Sequence, residues 1–242
     1  MTTNLAGNVC LGQLNACIVR IALLDSDCTP TGGADSGIVT AALATLTADP
    51  DIEEGTKFEP KNACGDTMFT YETDPRIKRY NLSGEFYFFD YEMMYALFGG
   101  TLILGAAAGT FAGKVIGHAM PKYTQAQRNG VYLEVITQNV AQGAGDCQDI
   151  AGAAGHPSHT GHVFGKCRLV PGSRSFENDV ARVTFSGTGT NNPLLTNGPW
   201  NDYPGAGYAP DSPYFQVGYT QTQYNTIAAG VRCGWQTLPS GS

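Results

Sequence analysis

Period-two alternation is the feature that most narrows what this chain can fold into. Over Tyr80 to Phe88 the even positions Tyr80, Leu82, Gly84, Phe86 and Phe88 are mostly apolar, while Asn81, Ser83 and Glu85 between them are polar. That is the pattern of a strand with one face buried. It returns at Val131, Leu133 and Val135, at Val163, Gly165, Cys167 and Leu169, and at Ala181, Val183 and Phe185 opposite Arg182, Thr184 and Ser186. Two further segments read as strands with largely buried faces: Ala16 to Asp25, an apolar run with a single Arg, and Gly37 to Thr47, rich in β-branched residues. One helix is signalled, from about Asp90 to Phe98. Asp90 is a good N-cap, Glu92 sits in the positive first turn, and Met93, Met94, Leu97 and Phe98 share a face before Gly99-Gly100. The expected fold is mainly β, a β-sandwich or barrel with one short flanking α-helix and long loops or arms.

Composition agrees with a folded, turn-rich chain. With 242 residues, 42% of them hydrophobic, 14% charged and 31 glycines, collagen, coiled coil and general disorder are excluded. Fourteen basic residues against 21 acidic ones give a net charge of −7, and the basic ones are scattered. Stable grip on a phosphate backbone needs clustered Lys and Arg, so nucleic-acid binding is not expected. The seven cysteines contain no CxxC pair, and a chain of this size needs no disulfide scaffold. The start MTTNLAGNVCLGQL lacks a basic, apolar leader, which points to the cytoplasm. Met93 to Gly113 is uncharged, but Gly99, Gly100, Gly105, Gly109 and Gly113 interrupt it, at about 1 kcal/mol each in a helix, so no membrane span is expected.

Three stretches read as long loops: Gly99 to Asn129, Ala141 to Gly161, and nearly everything after Asn191. Connections of that size are usually functional, disordered or ordered by a partner. The last one holds Trp200, Tyr203, Tyr208, Tyr214, Phe215, Tyr219, Tyr224 and Trp235 without strong periodicity, as suits a segment that covers a surface of its own domain or of a neighbour. The expected organisation is an N-terminal arm (1–15), one β domain (16–195) and an aromatic-rich C-terminal arm (196–242).

Candidate chemistry is sparse. Cys147, Asp149, His156, His159, His162 and Cys167 are of metal-ligand type, but the histidines sit in GHPSHTGH without a knuckle spacing, so solvated loop histidines and a core cysteine are expected instead. Asp49, Asp51, Glu53, Glu54 and Glu59 surround ADPDIEEGTKFEP, which lacks a calcium-loop pattern and reads as a solvated acidic turn. Cys64-Gly65-Asp66 has no indicated base and reads as a turn between strands. Nucleophile-elbow and phosphate-loop motifs are absent. No catalytic, cofactor-binding or metal-binding residue is assigned, no cofactor is expected, and the chain is not expected to be an enzyme. A carbohydrate-binding β-sandwich is the alternative that the aromatic C-terminal segment and the acidic turn suggest.

The order of segments is more telling than any site. Asn62-Ala63-Cys64-Gly65-Asp66, RIKRYNLSGEFYFFDYEMMYALFGGTLI, GVYLEVITQNV and KCRLVPGSRSFENDVARVTFSGTGTNNPLLTNGPWNDYP follow one another through residues 16 to 205. Their arrangement resembles the major tail, or tail tube, proteins of long-tailed actinobacteriophages. The resemblance is strongest at Leu82 to Gly100 and in the strand ending at Gly187 to Pro193, followed by Asn197 to Pro204. It implies a tail-tube type β-sandwich that forms stacked hexameric rings around a tape measure protein, closed off by tail terminator and distal tail proteins. It also implies residence in the virion tail after assembly in the bacterial host cytoplasm, and transient passage of DNA without specific binding. Some relatives carry an extra immunoglobulin-like domain, for which the residues after Pro204 are too few. Long strands at about 3.3 Å per residue could cross a ring wall, and pairing between subunits would satisfy open sheet edges. The charge of −7 per subunit would repel phosphates from a lumen rather than grip them.

Overall fold

The computed structural model describes residues 10–87, 90–122, 130–142, 147–149, 157–175, 181–195, 197–203 and 212–239, with only the backbone at 10–12, 141–142 and 147–149. In chain order these form β1 (Cys10–Leu23), β2 (Gly33–Thr40), β3 (Leu43–Glu53), β4 (Lys57–Phe58), β5 (Tyr71–Glu72), β6 (Arg76–Phe86) and α1 (Tyr91–Phe98). There follow β7 (Thr101–Leu104), β8 (Val115–Ala119), β9 (Val131–Gln142), β10 (Cys147–Asp149), β11 (His159–Ser175), β12 (Arg182–Thr190), β13 (Phe215–Tyr219), α2 (Gln221–Ala228) and β14 (Gln236–Leu238).

The chain is mainly β, as its alternation predicts: most strands join in one large antiparallel sheet that does not close into a barrel, while β4 with β5 and β7 with β8 form separate two-stranded sheets. The large sheet has ten strands, with the order β14-β2-β1-β9-β11-β12-β6-β3 and with β10 and β13 paired to β9 and β11. The seventeen-residue β11 carries β13 along its first half and β12 along its second, both on the edge away from β9. Its ladder with β12 shifts register between Pro171 and Arg174, where Pro171-Gly172 interrupts the strand.

One face of the sheet wraps a core. Val19 and Ile21 of β1, Ile38 of β2, Leu82 and Phe86 of β6, Leu133 and Val135 of β9, Phe164 and Leu169 of β11 and Val183 and Phe185 of β12 meet the buried side of α1. The helix begins as its sequence predicts: Asp90 accepts from the Met93 N–H at 2.5 Å, and the chain leaves through Gly99 at φ 77°. The same two acidic residues also hold the C-terminal segment, since Asp90 accepts from Gly234 N–H and Glu92 from Trp235 N–H, each at 2.8 Å.

Several expectations are corrected. Gly37 to Thr47 is two strands, not one: the chain breaks at Ala41-Ala42, and β3 leaves β2 to pair with β6 at the far end of the sheet. A two-residue link thus joins strands that are far apart in the sheet order, and places the start of β3 near β1. The stretch 99–129 contains the β7–β8 hairpin, 141–161 contains β10, and the segment after Asn191 contains β13, α2 and β14. The helix beyond the one predicted, α2, is opened by a reciprocal capping box between Thr220 and Gln223.

Close packing also fixes single positions. A Cβ on Gly84 would stand 2.5 Å from both the Phe185 ring and the Thr45 carbonyl oxygen. Gly84→Ala is expected to cost about 1–3 kcal/mol in urea unfolding through overpacking. Ser83→Ala, on the exposed face of the same strand, should stay within about 0.5 kcal/mol of the parent protein.

Candidate functional site

The folded body carries two apolar-tipped arms. Strands β3 and β6 pair from Leu43 and Phe86 out to Glu53 and Arg76. Ala48 and Tyr80 are the last of their residues packed on the core. Beyond them the arm continues through β4–β5 to a tip where Asn62 Oδ1 accepts the N–H groups of Cys64 and Asp66, both at 2.9 Å. Asn62-Ala63-Cys64-Gly65-Asp66 is therefore a tight side-chain-stapled turn, with the Cys64 thiol exposed. Phe58 and Phe69 are 56% exposed and Met68 68%, and Ile52, Tyr71 and Ile77 are also open to solvent. The acidic residues expected to sit in a solvated turn belong largely to this arm's ladder instead. Asp51 pairs with Arg79 at 2.7 Å and Glu53 with Arg76 at 2.9 Å across the strands, and Glu59 pairs with Lys57 at 2.7 Å. Such exposed pairs contribute at most about 1 kcal/mol each and serve register more than stability.

The second arm is the β7–β8 hairpin. It is seated on α1 by His118, whose Nε2 donates to the Gly99 carbonyl at 2.6 Å, and it exposes Leu104 and Phe111 by 59% and 60%. Strand β3, with eleven residues, forms the sheet's terminal edge and pairs among the described residues with β6 alone. An open edge of that length is a template for a further strand.

The opposite face of β1, β9 and β11 is covered by the C-terminal segment. Ile18, Ala22, Tyr132, Ile136 and Val163 pack there against Leu195, Val217, Tyr219, Ile227 and Leu238, with Trp200, Tyr203 and Tyr224 at the margin. The central strands are thus buried on both faces, which is why Ala16 to Asp25 reads as a continuous apolar run.

Within this second core lies a charge cluster. Arg20 and Glu134 are direct cross-strand partners of β1 and β9, and their side chains are 1% and 0% exposed. Arg20 Nε donates to Glu134 Oε2 at 2.7 Å, Nη1 to Asp202 Oδ2 at 2.5 Å and Nη2 to the Tyr219 hydroxyl at 2.6 Å. Its guanidinium lies 4.6 Å from the centre of the Trp200 ring. Tyr132 and Tyr219 each donate to Glu134 at 2.8 Å, and the Tyr203 hydroxyl meets that of Tyr132 at 2.6 Å. Burial alone would lower the Arg20 pKa, but Glu134, Tyr219 and Asp202 outweigh it and hold the guanidinium charged. Burial, then the charge of Glu134, pushes the Tyr132 and Tyr219 hydroxyls up, so both stay protonated donors. A Cβ on Gly161 would fall 2.1 Å from Glu134 Oε1, so glycine at that place in β11 makes the room for the carboxylate. The cluster ties Asp202, Trp200 and Tyr219, all from the C-terminal segment, to the middle of the sheet. The sequence signals for it were the single Arg of the β1 run and the Glu inside GVYLEVITQNV, two opposite charges on strands otherwise buried.

The candidate metal ligands do not gather. Among the described residues no group of three His, Cys, Asp or Glu side chains could hold a metal ion. His156 and the side chains of Cys147 and Asp149 lie outside the described residues. His159 is buried, stacked on the Tyr224 ring at 3.5 Å and bonded through Nδ1 to Ser158 Oγ at 3.0 Å. Cys167 is in the main core, where burial pushes its thiol pKa up. His162 faces a cavity of about 450 Å³ lined by Leu46, Tyr80, Val135 and Phe164. Its ring nitrogens meet Thr137 Oγ1 at 3.1 Å and the Tyr214 hydroxyl at 2.7 Å.

Burial lowers the His162 pKa. The unfolded chain therefore binds a proton below about pH 6.5 that the folded imidazole resists, and stability falls as pH drops from about 7 toward the lowered value. His162→Gln is expected to flatten that decline in urea titrations at stepped pH; an unchanged slope would show that other groups cause it.

No helix among the described residues is long and apolar enough to cross a membrane. Compared with protein-family models and with curated proteins, the chain matches none.

Proposed function

We propose that this chain is a structural subunit of a phage tail tube, built to polymerise into stacked hexameric rings whose bore passes the genome. The observation that carries the reading is the contrast between a body with two buried cores and two arms on which Phe58, Met68, Phe69, Leu104 and Phe111 are each more than half exposed. A solitary soluble protein rarely offers apolar surface of that kind, whereas rings of identical subunits would cover it. The open β3 edge offers a second means of joining copies. Order of motifs along the chain supports the same reading, and so does the net charge of −7, which favours loose passage of DNA over binding. On this reading the partners are further copies of the chain, a tape measure protein inside the tube, and terminator and distal tail proteins at its ends. The subunit is made in the host cytoplasm and resides in the virion tail, with no enzymatic role.

The carbohydrate-binding alternative loses its motivation. Tyr219 is wholly buried, and Trp200, Tyr203, Phe215 and Tyr224 pack on the second core, so they do not make an open aromatic platform. Tyr208 lies outside the described residues. Negative-stain microscopy of the purified protein over rising concentration tests the proposal. Rings or tubes are expected, and single compact particles under every condition, with or without a tape measure protein, would overturn it.

A further inference from the structure

The turn between β1 and β2 holds a cysteine against a lysine from the middle of the sheet. Asp25 Oδ1 accepts from the N–H groups of Asp27 and Thr29 at 2.9 Å, and Oδ2 from the Thr29 hydroxyl at 2.6 Å. This forces Cys28 into a left-handed conformation at φ 66°. Its carbonyl is clamped by Asn192 Nδ2 at 2.7 Å, from a side chain that also reaches Gly165 O at 3.3 Å. Lys166 extends from β11, its backbone opposite Thr190 of β12 and its stem running past Gly130, where any Cβ would meet it at 3.3 Å. Lys166 Nζ ends 2.8 Å from Cys28 Sγ. Among the described residues no carboxylate pairs with Lys166. Both residues are only partly buried, so a small oxidant can reach them.

We propose that Cys28 and Lys166 form a peroxide-driven covalent cross-link, a sulfenamide joining the β1–β2 turn to β11. Two nucleophilic atoms held closer than the near-attack separation of about 3–3.5 Å react as one unit once either is activated. The Cys28 thiol gives its proton to solvent, its sulfur attacks one oxygen of hydrogen peroxide, the O–O bond breaks, and the departing hydroxide takes a proton from the Lys166 ammonium. Sulfenic acid, water and a neutral amine result. The amine then attacks the sulfenyl sulfur; the S–N bond forms, the S–O bond breaks, and hydroxide leaves with a proton from nitrogen as a second water. Sulfur gives up two electrons and the peroxide accepts them. A thiol reductant reverses the link. The inference does not depend on the tube reading, because it concerns contacts within one subunit. The two residues are 138 positions apart in the chain, so the bond closes a long loop and stabilises the fold chiefly by restricting the unfolded chain.

The test treats the full chain, purified under reducing conditions, with hydrogen peroxide and maps its peptides by mass spectrometry. Expected is a Cys28 peptide joined to a Lys166 peptide, lighter than their sum by two hydrogens, with cleavage after Lys166 blocked and both effects undone by dithiothreitol. The urea midpoint should rise on oxidation and return on reduction. In Lys166→Arg, which keeps the charge, Cys28 should proceed to sulfinic acid with no link, while circular dichroism reports an intact fold. Oxidation of Cys28 in the folded parent protein with Lys166 unmodified would overturn the proposal, and so would a Lys166 link that persists in Cys28→Ser.

Discussion

Arg20→Met is expected to lower the unfolding free energy by about 3–5 kcal/mol, because it leaves the wholly buried Glu134 carboxyl group without its cation. Methionine fills much of the same volume, so the loss would come from the orphaned carboxylate rather than from a cavity. The Trp200 ring, stacked over the guanidinium, offers a fluorescence signal for the urea transition. Arg20→Met combined with Glu134→Leu should regain most of the loss, since an apolar pair of similar volume is commonly no worse than a buried ion pair. Asp202, with 30% of its side chain exposed, can turn to water in the double variant. A single variant within about 1 kcal/mol of the parent protein would mean that the cluster relaxes on losing its cation, and would remove its role as the anchor of the C-terminal segment.

Phe58→Ser together with Phe69→Ser should abolish tube formation without unfolding the subunit. The two rings stand 6.0 Å apart on the outer part of the β3–β6 arm, outside both cores, and each is already more than half exposed. Their removal from a monomer therefore exchanges only the smaller, already buried part of each ring, and the unfolding free energy should fall by about 1 kcal/mol per ring at most. In an assembled tube the remaining exposed half of each ring would be covered, contributing about 1–1.5 kcal/mol per ring, repeated at every subunit contact. Micrographs of the double variant should show separate particles at concentrations where the parent chain forms tubes. Tubes of unchanged length and number would exclude this arm as a contact between copies.

The strands were legible where only one face is buried. Leu82 and Phe86 point into the core and Asn81 and Ser83 outward, as their alternation predicts. The helix at Tyr91–Phe98 was equally legible, because its cap, its acidic first turn and its glycine exit are all local chemistry. Thr220 and Gln223 carried a comparable signal for α2, but it was masked by the lack of an apolar stripe; only Ile227 of that helix is buried. The division of Gly37 to Thr47 into strands at different places in the sheet was not legible, since nothing local distinguishes a strand that continues from one that turns away at Ala41-Ala42.

Local order along the chain settled the mainly β character and the position of most strands and of α1, because backbone periodicity and capping depend on neighbours a few residues away. Long-range packing settled the rest: that Arg20 meets Glu134 and Asp202, that the aromatic segment after Asn192 covers the same sheet that precedes it, and that Cys28 faces Lys166. Those pairings join residues more than a hundred positions apart. Their partners are chosen by register and by which charges burial leaves unsatisfied, quantities that exist only once the sheet has formed.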